Sequence, residues 1–496
     1  MTKPKQRKFS ANFYNPISYA GVYLAFLVFA AECFLFAVDV TAHGRNLYLG
    51  LLTYLLLPPF LVFGLLLIPI GAFWEKRRIA SGKSALEFTS LKVDLSIPQH
   101  RNMFFVFVVG TAVFLMMTFA GLYKGFHYTE SVKFCGLLCH KLMNPEYTAY
   151  LQSPHAKVKC VECHIGAGAD WYMHSKLSGT RQVLKVLTNS YETPIKTPVH
   201  DLRPAQEICL ECHSPGKFFS AYNFDRTYFL TGGQEPWKIR MSLNVGGGGH
   251  QSQGVHAHMN VDHEIYYAAE DDRRQKITWV KAVDKQGKEV IFTSPGSKWK
   301  DQAPEPSKIR KMDCIDCHNR PSHRFRAPYR MLNEAMQFGE IDPSIPDVKE
   351  KAMEVLSAEY GTDAGALLSI DKELRDYYKE KHADFYAAHP AEVDKMIEKV
   401  KYLYSHNMFP EMKTRWDTHP DNIGHFASPG CFRCHDGEHQ SAEKKVISRD
   451  CTACHQIIEQ GPIGKTERSL DGLEFKHPTD DDWQEASCTD CHTGGA

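Results

Sequence analysis

The stretch SPHAKVKCVECH, residues 153–164, closes on two cysteines separated by two residues, with a histidine directly after the second: Cys160, Cys163 and His164. The same unit recurs at Cys209/Cys212/His213, Cys314/Cys317/His318, Cys431/Cys434/His435, Cys451/Cys454/His455 and Cys488/Cys491/His492. A seventh copy, CGLLCH at Cys135/Cys139/His140, has one more residue between its cysteines. With 15 Cys and 25 His in 496 residues, chance would supply about 0.02 copies of the regular unit, against six found. Only Cys33 stands outside a pair.

The spacing has a chemical reason. Two thiols one short turn apart can each add to a vinyl group on the same porphyrin edge, and the adjacent imidazole can then reach the iron. A disulfide needs no trailing histidine, and a zinc site built from paired cysteines has no use for one after every pair. The sequence therefore predicts seven covalently bound c-type haems. Their proximal iron ligands are His140, His164, His213, His318, His435, His455 and His492.

The rest of the composition sets bounds. At 496 residues the chain has room for two to four domains. Its 58 basic and 58 acidic residues cancel, which argues against nucleic acid as a partner. A hydrophobic content of 43% excludes a mostly disordered chain. Three apolar runs, Ile17–Val38, Leu47–Trp74 and Met103–Tyr123, are each long enough to cross a bilayer. Pro58 and Pro59 fall inside the second run and predict a kink there. Basic residues gather at Lys3, Lys5, Arg7 and Lys8, and again at Lys76, Arg77, Arg78, Lys83, Lys92 and Arg101. The loop Asp39–Asn46 has only Arg45. By the positive-inside rule the N-terminus is cytoplasmic, and everything after Tyr123 lies outside a bacterial inner membrane, in the periplasm.

Motif spacing divides the chain into a membrane domain (1–125), a four-haem domain (126–330), a haem-free helical connection (331–425) and a three-haem domain (426–496). Helical periodicity is clear over Asp347–Tyr360, and over Ala391–Tyr404, where Val393, Met396, Ile397, Val400, Leu403 and Tyr404 share a face. Ile277–Val283 and Glu289–Thr293 flank a turn and predict a small β-hairpin. The expected fold is mainly α: three transmembrane helices, then a haem-packed multihaem cytochrome c region with little regular structure besides that hairpin.

The residues from about Phe126 to Arg330 resemble the NapC/NirT family of membrane-anchored quinol-oxidising cytochromes, which includes the small NrfH-type anchors. The resemblance is carried by a membrane helix running into YTESVKFCGLLCHKLMNPEY, then SPHAKVKCVECH, EICLECH and CIDCHNRPSH. With NIGHFASPGCFRCHDGEH, the whole chain is similar to the seven-haem inner-membrane cytochromes of metal-reducing bacteria. The resemblance implies that Met143 ligates the first haem, although the longer CGLLCH linker keeps His140 as an alternative. It implies that Lys176 contacts the quinol, with no acidic residue at the place the family has one. It also implies His155 as the distal ligand of the fourth haem and His323 as that of the second.

Other distal ligands are read from position. His256 and His258 are candidates for the third haem, with His250 and His200 weaker. His425, His439 and His477 sit beside the last three motifs, with His419 and His406 in reserve. His100 lies on the cytoplasmic side.

The function expected is quinol oxidation. A quinol, with menaquinol the expected species, gives electrons to the first haem, releases protons outward, and the electrons leave along the haems to periplasmic c-type cytochromes. Two rivals are a multihaem reductase with its own small-molecule site and an electron-donating membrane anchor for a partner reductase. Glu32, inside the first span, reads either as a proton relay from the quinol or as a packing hydrogen bond between helices. If the domains are modular, truncation after about Ser405 leaves the quinol-oxidising part intact.

Overall fold

The computed structural model describes residues 11–41, 53, 57–82, 95–166, 169–199, 203–214, 221–232, 234–246, 254–258, 263–479 and 488–492. His200, His250, Arg45 and the basic residues Lys3, Lys5, Arg7, Lys8, Lys83 and Lys92 lie outside them, as does most of Leu47–Leu56. The chain separates into two compact units, Met1–Leu138 and Cys139–Ala496.

The first unit holds three helices long and apolar enough to cross a membrane: α1 (Pro16–Thr41), α2 (Leu57–Ala80) and α3 (Pro98–Thr129). Asn15 precedes α1 and accepts from the Ser18 amide at 2.9 Å, with Pro16 opening the helix, where its missing N–H costs nothing. α1 and α2 meet along small residues. A Cβ on Gly21 would lie 2.6 Å from the Gly64 carbonyl oxygen, and one on Gly64 would lie 2.8 Å from the Ala25 nitrogen. Such close backbone approach is the usual way apolar helices associate in lipid. Ser18 Oγ adds a hydrogen bond to the Ile68 carbonyl at 2.8 Å. Phe114 of α3 packs edge-on against Phe29 of α1, with ring centroids 4.5 Å apart, and Cys33 Sγ lies 3.6 Å from Met117 Sδ. Side chains such as Phe26, Phe34, Val106 and Phe119 point outward uncovered, as a lipid-facing surface requires. Pro58 and Pro59 do not kink the middle of α2; they stand in its first turn, and the interior proline is Pro69.

In the second unit, α4 (His140–Leu151) and α5 (Ala169–Leu187) follow the first two motifs. The main apolar core is a helical bundle of α6 (Pro328–Gln337), α7 (Val348–Ser357), α8 (Asp363–Lys381) and α9 (Pro390–Ser405). The periodic face Val393, Met396, Ile397, Val400, Leu403 and Tyr404 is buried, as is the Val348, Ala352, Val355 and Leu356 face of α7.

The β-structure exceeds one hairpin. The expected pair is present as β4 (Ile277–Asp284) and β5 (Glu289–Thr293), but it sits in a five-stranded sheet of order β6-β3-β4-β5-β7, with β3 His263–Ala269, β6 Arg310–Lys311 and β7 Gln440–Ser441. A four-stranded sheet has the order β1-β2-β8-β9, with β1 Ala221–Tyr228, β2 Trp237–Asn244, β8 His455–Pro462 and β9 Glu467–Leu473. Every pairing is antiparallel. The sheets cross the expected boundaries at 330 and 425: Leu243 pairs with His455 and Phe292 with Ser441. The four-motif and three-motif stretches are interleaved rather than laid side by side.

These sheets place the motifs. β6 ends two residues before Asp313, which opens the fourth motif; β7 begins five residues after His435 of the fifth; β8 begins on His455, the sixth motif's own histidine.

Candidate functional site

Most motifs are a single helical turn. Cys160–His164 and Cys314–Cys317 are α-helical, and Gly430–Arg433 and Cys451–Ala453 are 3-10 turns. The histidine amide closes the turn onto the first cysteine's carbonyl, at 2.7 Å for His213, 2.8 Å for His318, 3.1 Å for His435 and 2.8 Å for His492. Asp313 caps the fourth motif by accepting from the Cys314 amide at 2.6 Å, and Asp316 returns a bond to the Asp313 amide at 2.7 Å. None of the cysteines among the described residues is joined in a disulfide, so the paired thiols stand as sulfur nucleophiles.

Their exposure differs within a pair. Cys163, Cys212, Cys317, Cys451 and Cys491 are exposed, while their partners Cys160, Cys209, Cys314, Cys454 and Cys488 are half-buried. In four of these five pairs, Cys451/Cys454 being the exception, the exposed thiol is the second. The reason is the turn itself. Residues three apart on one turn share a face without sharing a depth, so seating the first cysteine against the protein leaves the second at the rim. Cys212 and Cys491 thus stand at the surface end of their motifs, each directly before a histidine whose amide closes the turn. An exposed thiol can still meet the edge of a porphyrin, so Cys212 and Cys491 keep the chemistry expected of them.

Opposite the motif histidines stand second imidazoles. Among the described residues, six pairs of rings face each other: His164–His323 at 6.2 Å between centroids, His213–His155 at 6.1 Å, His318–His256 at 6.3 Å, His435–His258 at 5.8 Å, His455–His425 at 6.2 Å and His492–His477 at 6.1 Å. Two imidazoles on one iron, each with a metal–nitrogen bond of about 2 Å, place their ring centres roughly 6 Å apart. The residues present therefore fit c-type haem.

The pairing differs from the sequence expectation at three points. His155 faces His213 of the third motif, not the fourth. His256 and His258 do not serve the third; they face the fourth and fifth motifs from one short turn, Val255–His258. His439 faces no motif histidine. It is fully buried, with Nδ1 held 2.9 Å from both Asp436 carboxylate oxygens and Nε2 3.1 Å from the Ile277 carbonyl, so both nitrogens are used in structure. His323 lies across from His164, and His425 and His477 lie beside the sixth and seventh motifs. His406 rests on Tyr402, with its Nδ1 2.9 Å from the Tyr402 carbonyl.

Five of these rings are anchored through Nδ1, whereas Nδ1 of His425, His455 and His492 is buried without a partner among the described residues. Nδ1 of His323 is 2.9 Å from the Glu146 carbonyl, Nδ1 of His155 is 3.2 Å from that of Pro321, and those of His256, His258 and His435 are 3.0, 2.8 and 2.8 Å from Val245, Val255 and Ser448 carbonyls. A carbonyl there fixes the proton on Nδ1 and leaves the lone pair on Nε2, the tautomer a metal ligand needs.

Successive motifs touch. The second motif's turn lies against the third's and the third's against the fourth's, where the Cys209 and Cys314 thiols are within hydrogen-bonding reach. The fourth and fifth motifs are also bolted together. Asp316, inside the fourth, accepts from Tyr267 Oη at 2.7 Å, from Arg310 Nε at 2.9 Å and from Arg274 Nη1 at 3.3 Å. Its carbonyl accepts from Nη2 of Arg433, inside the fifth, at 2.6 Å.

The first motif is different. His140 opens α4 and lines a cavity of about 440 Å³ with Lys141, Asn144, Phe409, Met412 and two acids from the haem-free stretch, Asp363 and Glu411. Lys141 pairs with Glu411 at 3.5 Å, whereas Asp363 Oδ1 is enclosed without a partner. Burial and the neighbouring Glu411 push the Asp363 carboxyl above its ordinary range. Nothing local in the sequence marks these acids, because more than two hundred residues separate them from His140. Met143 is half-buried on α4, and Lys176 is half-buried in the middle of α5. Glu32 lies in α1, its Oε1 enclosed and without a hydrogen-bond partner.

Comparison with known proteins places the chain among c-type cytochromes. Residues 97–213 match the NapC/NirT cytochrome c family, N-terminal region. The cytochrome c-type protein ImcH of Geobacter sulfurreducens is 38% identical over 498 residues, covering 99% of this chain and 97% of ImcH. The cytochrome c-type protein NrfH of Wolinella succinogenes is 28% identical over 126 residues, 25% of this chain and 70% of NrfH. No solved structure matches the chain.

Proposed function

Since this chain belongs to the family of the cytochrome c-type protein ImcH, with a NapC/NirT region at its first motifs, we propose that it is a heptahaem quinol dehydrogenase of the bacterial inner membrane. Quinol is oxidised at the periplasmic face to quinone, giving up two electrons and two protons; the electrons leave one at a time towards periplasmic c-type cytochromes. The observation that carries this reading is the run of six imidazole pairs at iron-spanning distance, with the second to fifth motifs in contact one with the next. An electron wire needs iron held on both sides, whereas a substrate-reducing haem needs one side open.

Haem bound at the motifs supplies the one-electron chemistry. The protein's part is to hold and to position. The paired histidines would hold each haem, and the anchored Nδ1 atoms of His155, His256, His258, His323 and His435 set their tautomers. His140, or Met143 three residues on, ligates at the first motif, which follows the third membrane helix by eleven residues (Thr129 to His140). Lys176 hydrogen-bonds a quinol oxygen, and its charge favours loss of the quinol proton. Glu32, whose oxygen lacks a partner inside the membrane unit, relays protons outward.

Low-temperature EPR of the purified oxidised protein tests the wire. Six low-spin centres from paired histidines and one distinct centre at the first motif are expected. A high-spin, nitrite-binding centre among the later motifs would favour a reductase instead. Lys176→Leu and Glu32→Gln, with haem content intact, should each slow menaquinol oxidation; wild-type rates would remove these residues from the mechanism.

A further inference from the structure

One histidine is built like a ligand and faces no motif histidine. His419 is 3% exposed. Its Nδ1 lies 3.1 Å from Thr197 Oγ1, and its Nε2 is buried with no partner among the described residues. The ring it faces is Phe325, at 5.7 Å and 34°, not a motif histidine, and six of the motif histidines already face another imidazole.

The surrounding groups favour one placement of the proton. Arg320, itself buried, donates from Nη2 to Thr197 Oγ1 at 3.4 Å and lies 5.3 Å from the Phe325 ring centre, while its Nη1 pairs with Glu146 at 3.6 Å. With the guanidinium donating to its oxygen, Thr197 keeps its own hydroxyl hydrogen, and we take His419 Nδ1 as the acceptor of it. Burial and the guanidinium groups of Arg320 and Arg273 push the imidazole's proton affinity down to about 3, so it is neutral. A neutral ring that accepts at Nδ1 holds its hydrogen on Nε2. The orphaned atom is thus a donor, in a positively charged surround, waiting for an anionic acceptor.

The segment is tied to the fourth motif. Asn319 Nδ2 donates to the Pro420 carbonyl at 2.8 Å, the Asn422 amide donates to Asn319 Oδ1 at 2.9 Å, and Asn422 Nδ2 donates to the Asp316 carbonyl at 3.1 Å. A c-type haem brings two carboxylates of its own. We propose that His419 Nε2 donates a hydrogen bond to a propionate of a haem beside the fourth motif, with Arg320 contributing its charge. The residue is a positioning and tuning group rather than an iron ligand. Neutralising part of the propionate's charge favours the ferrous state of that haem, so it raises the potential.

Spectroelectrochemical titration of the intact, haem-loaded protein at pH 7 tests this. In His419→Phe one haem should shift about tenfold towards the ferric form, a fall of about 59 mV for a one-electron couple. His419→Gln, which keeps an N–H at the same reach, should restore most of it. Should the Phe variant lose haem, Thr197→Val keeps the imidazole but removes what fixes its tautomer, and must lower the same potential by a smaller amount. Unchanged potentials in the Phe variant, or in Thr197→Val where that is the variant measured, would mean that water fills the site and overturn the assignment. Equal falls in the Phe and Gln variants would show a packing role only and overturn it too.

Discussion

Truncation after Ser405 separates a modular chain from an interleaved one. It removes β7, β8 and β9 together with the last three motifs. β8 is an inner strand, paired with β2 at seven positions from Trp237↔Pro462 to Leu243↔His455 and with β9 on its other side. At about one ladder bond per pair and a net 0.5–1.5 kcal/mol each, losing the β2–β8 ladder alone costs roughly 4–10 kcal/mol. That is comparable to the whole stability of a typical domain, about 5–15 kcal/mol. The cut also leaves β2 as a bare edge, removes His435 from opposite His258, and strips Arg433 from Asp316. The truncated chain should therefore be protease-sensitive and deficient in haem at the third and fourth motifs, contrary to the modular expectation from motif spacing. Haem per chain by pyridine haemochrome, with limited trypsinolysis, measures both. A truncated protein carrying four haems and resisting trypsin as the full chain does would refute the reasoning.

Three further outcomes are expected. Asp316→Ala leaves Arg310 and Arg274 without their shared carboxylate and breaks the fourth motif's cap; these arginines are partly exposed, so the loss should sit near the low end for a broken buried pair, about 3 kcal/mol in urea unfolding. Gly21→Leu has no room beside the Gly64 carbonyl and should cause the membrane unit to misassemble, read as loss of folded protein in detergent by size-exclusion chromatography. Asp363 has a folded-state pKa raised above the ordinary 3.8, so the folded state holds its proton more tightly and stability falls as pH rises through the folded value. Asp363→Asn should remove that fall, so the variant gains on the wild type in urea midpoint from about pH 4 upwards; parallel curves would contradict it.

What could be read from the sequence was local. Covalent haem attachment needs two thiols and an imidazole within five or six residues, so the motifs announce themselves. How deep each thiol sits is not local, and the exposure of Cys212 and Cys491 could not be read from spacing. The helical faces of α7 and α9 were equally plain, because Val393 to Tyr404 repeat with the helical period and all point into one core. The sheets were hidden for two reasons. Their partners lie far apart in the chain, as with Leu243 and His455. Their strands also carry charge ladders rather than alternating apolar residues: Arg240 reaches Asp225 at 3.0 Å and Glu459 at 3.3 Å, and Arg468 reaches Glu459 at 2.9 Å. The histidine pairing failed at His155, His256 and His258 because only the tertiary fold decides which imidazole faces which. Pro58 and Pro59 were read as a kink because the apolar run continues through them, although a proline in a first turn leaves a helix undisturbed.

The central claim, that quinol feeds this haem chain, is tested most directly by adding a menaquinol analogue anaerobically to the purified, membrane-reconstituted protein and following the haem α-band. The account predicts reduction of the haems without any added protein, starting at the first motif and reaching those of the C-terminal motifs. A protein whose haems are all reduced by dithionite but remain oxidised in excess quinol would contradict it.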